Sequence, residues 1–157
     1  MPGHQCAQRA ENLCEAGEYY AMVGEYELAE RAFREALDID EAEPGRPQAG
    51  YAAFLFDRGR ADEAFAQITA ARRLRPEDLD VFNAIGEALE AHGHLQQAAR
   101  WFVAGLAQGL EQLADLSLDD LRTDPELGML ANGRFRVRQA LDLPLDHIDE
   151  LVLAYRR

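Results

Sequence analysis

Four histidines, two cysteines and 29 acidic side chains are the residues of this 157-residue chain that could do chemistry, and their spacing argues against most of it. Cys6 and Cys14 lie eight residues apart. On one helix that is about 12 Å of rise, too far for a disulfide or for shared metal ligation. No other cysteine exists to complete a zinc set, so both thiols are expected as small buried or half-buried side chains. His92 and His94 straddle Gly93 and would not share a helix face, which reads as an exposed turn pair. Glu11 with Glu15, and Glu87 with Glu90, are carboxylate pairs at helical spacing that could chelate a cation. No His joins them in the Glu-x-x-His order that carboxylate metal bundles use. A glycine-rich phosphate loop, a nucleophile elbow and a Cys–His pairing are likewise missing from the sequence. The expectation is a protein that is not an enzyme, with no cofactor and no metal.

The elements that must position these side chains are legible from glycine. Gly24, Gly59 and Gly93 recur at separations of 35 and 34 residues, with their surroundings in phase. Seven residues before each stands a small residue: Gly17, Ala52, Gly86. Five residues after each comes an alanine (Ala29, Ala64, Ala98), and four further on a bulky apolar residue (Phe33, Ile68, Phe102). Each unit therefore reads as two helices meeting at a glycine, where a left-handed residue accepts the turn without a Cβ penalty. Gly17, Ala52 and Gly86 are expected where the two helices cross most closely, facing Ala29, Ala64 and Ala98. Tyr20, Leu55 and Leu89 then help fill the space around each contact. Pro47 and Pro76 stand near the openings of later first helices, where a missing N–H costs nothing.

This pattern resembles the tetratricopeptide repeat, whose period is about 34 residues with the signature W-x2-L-G-x2-Y…A-x3-F…P. The first unit reads Leu13-x2-Ala16-Gly17-x2-Tyr20, then Ala29-x3-Phe33. The second reads Gln48-x2-Tyr51-Ala52-x2-Leu55, then Ala64-x3-Ile68 and Pro76. The third reads Phe82-x2-Ile85-Gly86-x2-Leu89, then Ala98-x3-Phe102, with Gly105 in place of the last alanine. The resemblance covers roughly residues 10–110, with units at about 10–43, 45–78 and 79–112, and with an N-terminal helical extension it gives a repeat domain at 1–110. It implies an all-α, right-handed helix-turn-helix solenoid that acts as a non-catalytic protein-binding adaptor.

In that family the first helices line a concave groove. The matching places here are Glu11, Cys14, Glu18 and Met22, then Arg46, Ala53, Phe56 and Asp57, then Asn83, Glu87 and Glu90. The resemblance thus implies an acidic trough with Met22 and Phe56 as apolar contacts, suited to a basic or amphipathic peptide or helix of a partner protein. The same acids also suit the solvated face that any amphipathic helix needs. Chaperone-binding members of the family grip acidic tails with basic groove residues. Glu18, Ala53 and Glu87 at the corresponding places speak against such a ligand.

Charge agrees. With 16 basic against 29 acidic residues the net charge is −13. Such a surface repels nucleic acid and anionic membranes, because phosphate binding depends on clustered cations. No N-terminal apolar stretch and no run of membrane-spanning length occurs, so a cytoplasmic location is expected. The chain has no Lys, and its Ala-rich makeup points to a high-GC bacterial genome.

The last third, 111–157, loses the signature and is expected to be a helical cap over the array's apolar end. Ser117, Asp124 before Pro125, and Asp146 are candidate N-caps, and Asn132-Gly133 is a turn signal. Arg134, Arg136 and Arg138 form a basic run that could contact an anionic partner, or pair with Asp119, Asp120, Asp124 or the acidic array. Residues 136–146 resemble the tails of some bacterial repeat proteins that carry a SEC-C zinc motif. The motif's cysteines are absent, so zinc binding does not carry over. A structural, self-associating homodimer is the alternative function, with Trp101, Phe102 and Val103 as candidate contacts and Trp101 expected outside or under the cap.

Overall fold

The computed structural model describes residues 2–157. Among them are nine α-helices, one 3-10 turn and no strand. The helices are α1 (Pro2–Met22), α2 (Tyr26–Leu37), α3 (Arg46–Asp57), α4 (Ala61–Arg73), α5 (Leu79–Ala91), α6 (Leu95–Gly109), α7 (Leu118–Thr123), α8 (Pro125–Ala140) and α9 (His147–Tyr155), with the 3-10 turn at Leu113–Asp115. They gather into two compact units, one running to Val81 and one from Phe82 to Arg157. No helix among the described residues is long and apolar enough to cross a membrane.

In the first unit α1 pairs with α2 and α3 with α4, while α1 and α2 both pack on α3. The joints are glycine turns. Gly24 and Gly59 have φ of +82° and +73°, and in both the residue after the glycine donates its N–H back into the first helix, Glu25 to Tyr20 O and Arg60 to Leu55 O, at 2.8 Å. Gly17 has a different task. A Cβ there would lie 2.8 Å from the Phe33 ring, and one at Gly50 of α3 would lie 3.0 Å from the same ring. The small residue of α1 therefore makes room for a phenyl ring of α2. Phe33, only 1% exposed, is the centre of this core.

The second unit repeats the device. Gly93 has φ +81° and His94 donates to Leu89 O at 2.9 Å, as in the first two joints. Phe102 of α6, fully buried, lies against Gly86 of α5 and Gly133 of α8, where added Cβ atoms would stand 2.6 and 2.5 Å from its ring. Gly133 is thus inside a helix, correcting the turn expected at Asn132-Gly133. Its missing Cβ admits Phe102, and Asn132 turns its side-chain amide back to Gly128 O at 2.8 Å. Gly105 serves the same packing, since a Cβ there would meet Leu130 of α8 at 2.7 Å. Trp101 is 4% exposed with its ring 5.6 Å from that of Phe82, so of the two places expected for it the outer one is excluded.

Three caps hold the remaining helices. Ser117 and Asp120 form a reciprocal capping box on α7, and Asp146 and Asp149 form another on α9. Asp124 accepts from the Glu126 and Leu127 amides at the start of α8, with Pro125 in its first turn. Each satisfies amides that a helix start leaves without partners.

Candidate functional site

The outward face of α5 carries Glu87 and Glu90, and α8 supplies the other wall. On α8, Gly128, Asn132 and Arg136 recur every four residues, so they form one stripe along the helix. Arg136 reaches Glu90 with two parallel hydrogen bonds, Nε to Oε1 at 2.9 Å and Nη2 to Oε2 at 2.8 Å. The paired carboxylate raises the pKa of the guanidinium, so this cation is committed. Asn132 is committed too, its Oδ1 accepting from Arg156 at 2.9 and 3.1 Å. Between these groups lies a cleft of about 420 Å³ lined by Glu87, Leu121, Pro125, Gly128, Met129, Asn132, Arg136 and Tyr155. Met129 and Tyr155 are each 43% exposed. Glu87 is exposed and accepts no hydrogen bond among the described residues. The cleft therefore offers an apolar floor and one carboxylate that accepts no hydrogen bond and meets Arg136 only through its charge, an arrangement that takes a cation carried on an apolar stem.

The first-unit residues expected in the groove are arranged differently. Glu11 and Glu18 of α1 both accept from Arg46 at the start of α3, at 3.2 and 3.0 Å. Two carboxylates share one guanidinium, so this stretch is less acidic than its sequence. Cys14 lies beneath them, fully buried, and burial pushes its thiol up to about 11. Phe56 is 4% exposed and meets Phe65 edge-on at 5.2 Å. Asn83 is 7% exposed, and its Oδ1 has no hydrogen-bond partner. Cys14, Phe56 and Asn83 therefore offer a partner no surface, contrary to the groove placement the resemblance implied, although burial of Cys14 agrees with the expectation for its thiol. Cys14 falls in line with buried Ala10 and Gly17, and Phe56 with buried Ala49 and Ala52, so both belong to packed helix faces. Ala53 is half-buried, Asp57 exposed, and Met22 stands 81% exposed at the end of α1.

Neither a family model nor a curated protein matches this chain.

The Arg run splits. Arg136 pairs with the acidic array through Glu90, whereas Arg134 and Arg138 turn to Asp146 and Asp149 rather than to Asp119, Asp120 or Asp124. Arg134 Nη1 lies 3.0 Å from Asp149, which is 1% exposed, and Arg138 Nε lies 2.9 Å from the same carboxylate. The Arg134 guanidinium also holds the Asp146 carboxyl well below its ordinary range. These partners were not anticipated, though Asp146-x-x-Asp149 is itself a capping-box signal that places two acids together at a helix start. A second basic run, Arg72, Arg73 and Arg75 around Leu74, also went unread and lies exposed at the end of α4. His92 sets its ring Nδ1 2.9 Å from Ala88 O, and His94 borders a separate hollow with Gln96, Gln97 and Arg100.

Proposed function

We propose that this chain is a non-catalytic protein-interaction module of the tetratricopeptide type, whose second unit receives a basic, amphipathic segment of a partner protein. The observation that carries the proposal is the cleft between α5 and α8, where Glu87 is the one wall carboxylate without a hydrogen bond and Met129 and Tyr155 provide exposed apolar contact. The repeat reading is supported by the three glycine joints, which share a positive φ and the same closing hydrogen bond. It is supported further by Phe33 and Phe102, which occupy equivalent places against equivalent glycines. An acidic ligand is disfavoured because Glu87 would face it, and Arg136 is already held by Glu90. Self-association through Trp101 and Phe102 is disfavoured because both are buried.

The test is capture of partners from source-cell extract on immobilised wild-type protein beside a Glu87→Arg/Met129→Asp variant. Both substitutions are at exposed positions, so the fold should survive, as circular dichroism would verify. The proposal expects a partner held by the wild type and lost by the variant, with its bound segment mapping to a cationic amphipathic stretch. A partner retained equally by both proteins, or one bound through an acidic segment, would sink it.

A further inference from the structure

The three most exposed large hydrophobic side chains among the described residues are Met22 at 81%, Tyr19 at 61% and Val23 at 53%. All three fall within the last turn of α1 and the residue after it. Met22 and Val23 follow Tyr19 by three and four residues, which places them together on one helix face. Scattered exposed apolar residues are ordinary, but a contiguous patch marks a contact surface.

The charge around that face selects its occupant. Residues 10–30 hold six carboxylates and no basic side chain. Glu15 lies one turn before Tyr19, and Glu25 and Glu27 follow just beyond the Gly24 joint. Those three are exposed, and their carboxylates form no hydrogen bond or ion pair among the described residues. Glu18, by contrast, is engaged by Arg46. A second copy of this chain would bring the same acids and another net charge of −13, so it is repelled from this face. An anionic membrane or a nucleic acid is repelled in the same way. The neighbouring Tyr26 shows what such a ring accepts, because the Arg58 guanidinium sits 3.7 Å above it.

We infer that the last turn of α1 is a second docking surface, separate from the α5–α8 cleft, for a cationic amphipathic helix. Its apolar residues rest on Tyr19, Met22 and Val23, and its Lys or Arg side chains reach Glu15, Glu25 and Glu27. The inference does not depend on the cleft reading.

Methionine separates the two surfaces in one experiment. The chain has three methionines, Met1, Met22 and Met129. Met22 reports the α1 face and Met129 the cleft. Protein labelled with 13C at the methionine methyls, with signals assigned through Met22→Leu and Met129→Leu, is titrated with a synthetic Leu/Lys amphipathic helix. The Met22 signal should shift saturably, and Tyr19→Glu, a substitution at an exposed site, should weaken that titration by about tenfold or more. A Leu/Glu helix of the same pattern should leave Met22 unmoved. A shift at Met129 with none at Met22 overturns this inference while leaving the cleft reading intact. Equal response to the Leu/Glu helix refutes the charge argument. A Met22 signal that moves on dilution without peptide assigns the face to a second copy and refutes it as well.

Discussion

The two units solve the same packing problem with different material. In the first, Phe33 is seated between Gly17 and Gly50, and the ion pairs around it face outward: Arg46 between Glu11 and Glu18, and Arg60 on Glu30 and Glu63. In the second, Phe102 is seated between Gly86 and Gly133, but α8 comes from sequence that has lost the repeat signature. There one ion-pair network goes inside, with Arg134 at 8% side-chain exposure held between Asp146 and Asp149, while the Arg136–Glu90 pair stays at the surface. A ring against two glycines is thus a general way to bring three helices close. What differs is how the third helix is fixed. In the first unit eight of the twelve residues of α3 are buried, and its Arg46 pairs with Glu11 and Glu18, which keep access to water. In the second, α8 and α9 are additionally locked by a charged network whose members shed most of their water.

That difference can be broken by substitution, and the largest effect should come from the buried pair. Arg134→Met leaves the Asp149 carboxylate buried with Arg138 as its one remaining cation, and should cost about 3–5 kcal/mol in urea unfolding. Arg46→Met leaves Glu11 and Glu18 with access to water and should cost no more than about 1 kcal/mol. Equal losses would mean that the two networks do the same structural work.

A smaller contrast lies in the glycines. Gly133→Ala sets a methyl 2.5 Å from the Phe102 ring, which Gly86 confines on its other side, and overpacking of this kind should cost about 1–3 kcal/mol. Gly50→Ala sets its methyl 3.0 Å from Phe33, and the helix preference of Ala over Gly, roughly 0.5–1 kcal/mol, offsets the crowding. Thermal melting should therefore separate the two variants clearly. A Gly133→Ala protein that melts like the wild type would show that Phe102 can move aside.

Acid should sharpen the comparison most gently. Glu30 in the first unit has its pKa lowered by the Arg60 hydrogen bond, and Asp146 in the second has its pKa lowered by Arg134. A carboxylate with a depressed folded pKa contributes stability that is complete above its unfolded value and is lost as pH falls through the folded one. The unfolded references are 4.5 for Glu30 and 3.8 for Asp146, so the first contribution begins to fade at higher pH than the second. Melting followed down the acid range should show Glu30→Gln flattening the earlier part of the decline and Asp146→Asn the later part. Identical curves for both variants would remove the distinction.

Much of this molecule was legible before folding. Gly24, Gly59 and Gly93 were read as helix joints and have positive φ. Ser117, Asp124 and Asp146 were read as caps and cap their helices. These features depend on residues within one turn of each other, so local spacing contains the whole of their physics. Gly133 was misread, because glycine serves both a left-handed turn and a place with no room for a Cβ, and the Phe102 ring that distinguishes them lies 31 residues away. Phe56 and Asn83 were expected outside and are buried, and Cys14, placed in the groove by the resemblance, is buried as its thiol chemistry led one to expect. Helical period places a residue on a face, but only the neighbouring helices determine how wide the covered face becomes.

The sequence by itself determined that the chain is helical, where its joints and caps fall, and that its surface is acidic. Tertiary structure decided which of those acids remain available. Glu11, Glu18 and Glu90 are taken by Arg46 and Arg136, whereas Glu15 and Glu87 are left without a hydrogen bond among the described residues. Charge is a property of composition. Its neutralisation depends on which guanidinium a fold brings within about 3 Å, and that distance is set by packing between helices far apart in the chain.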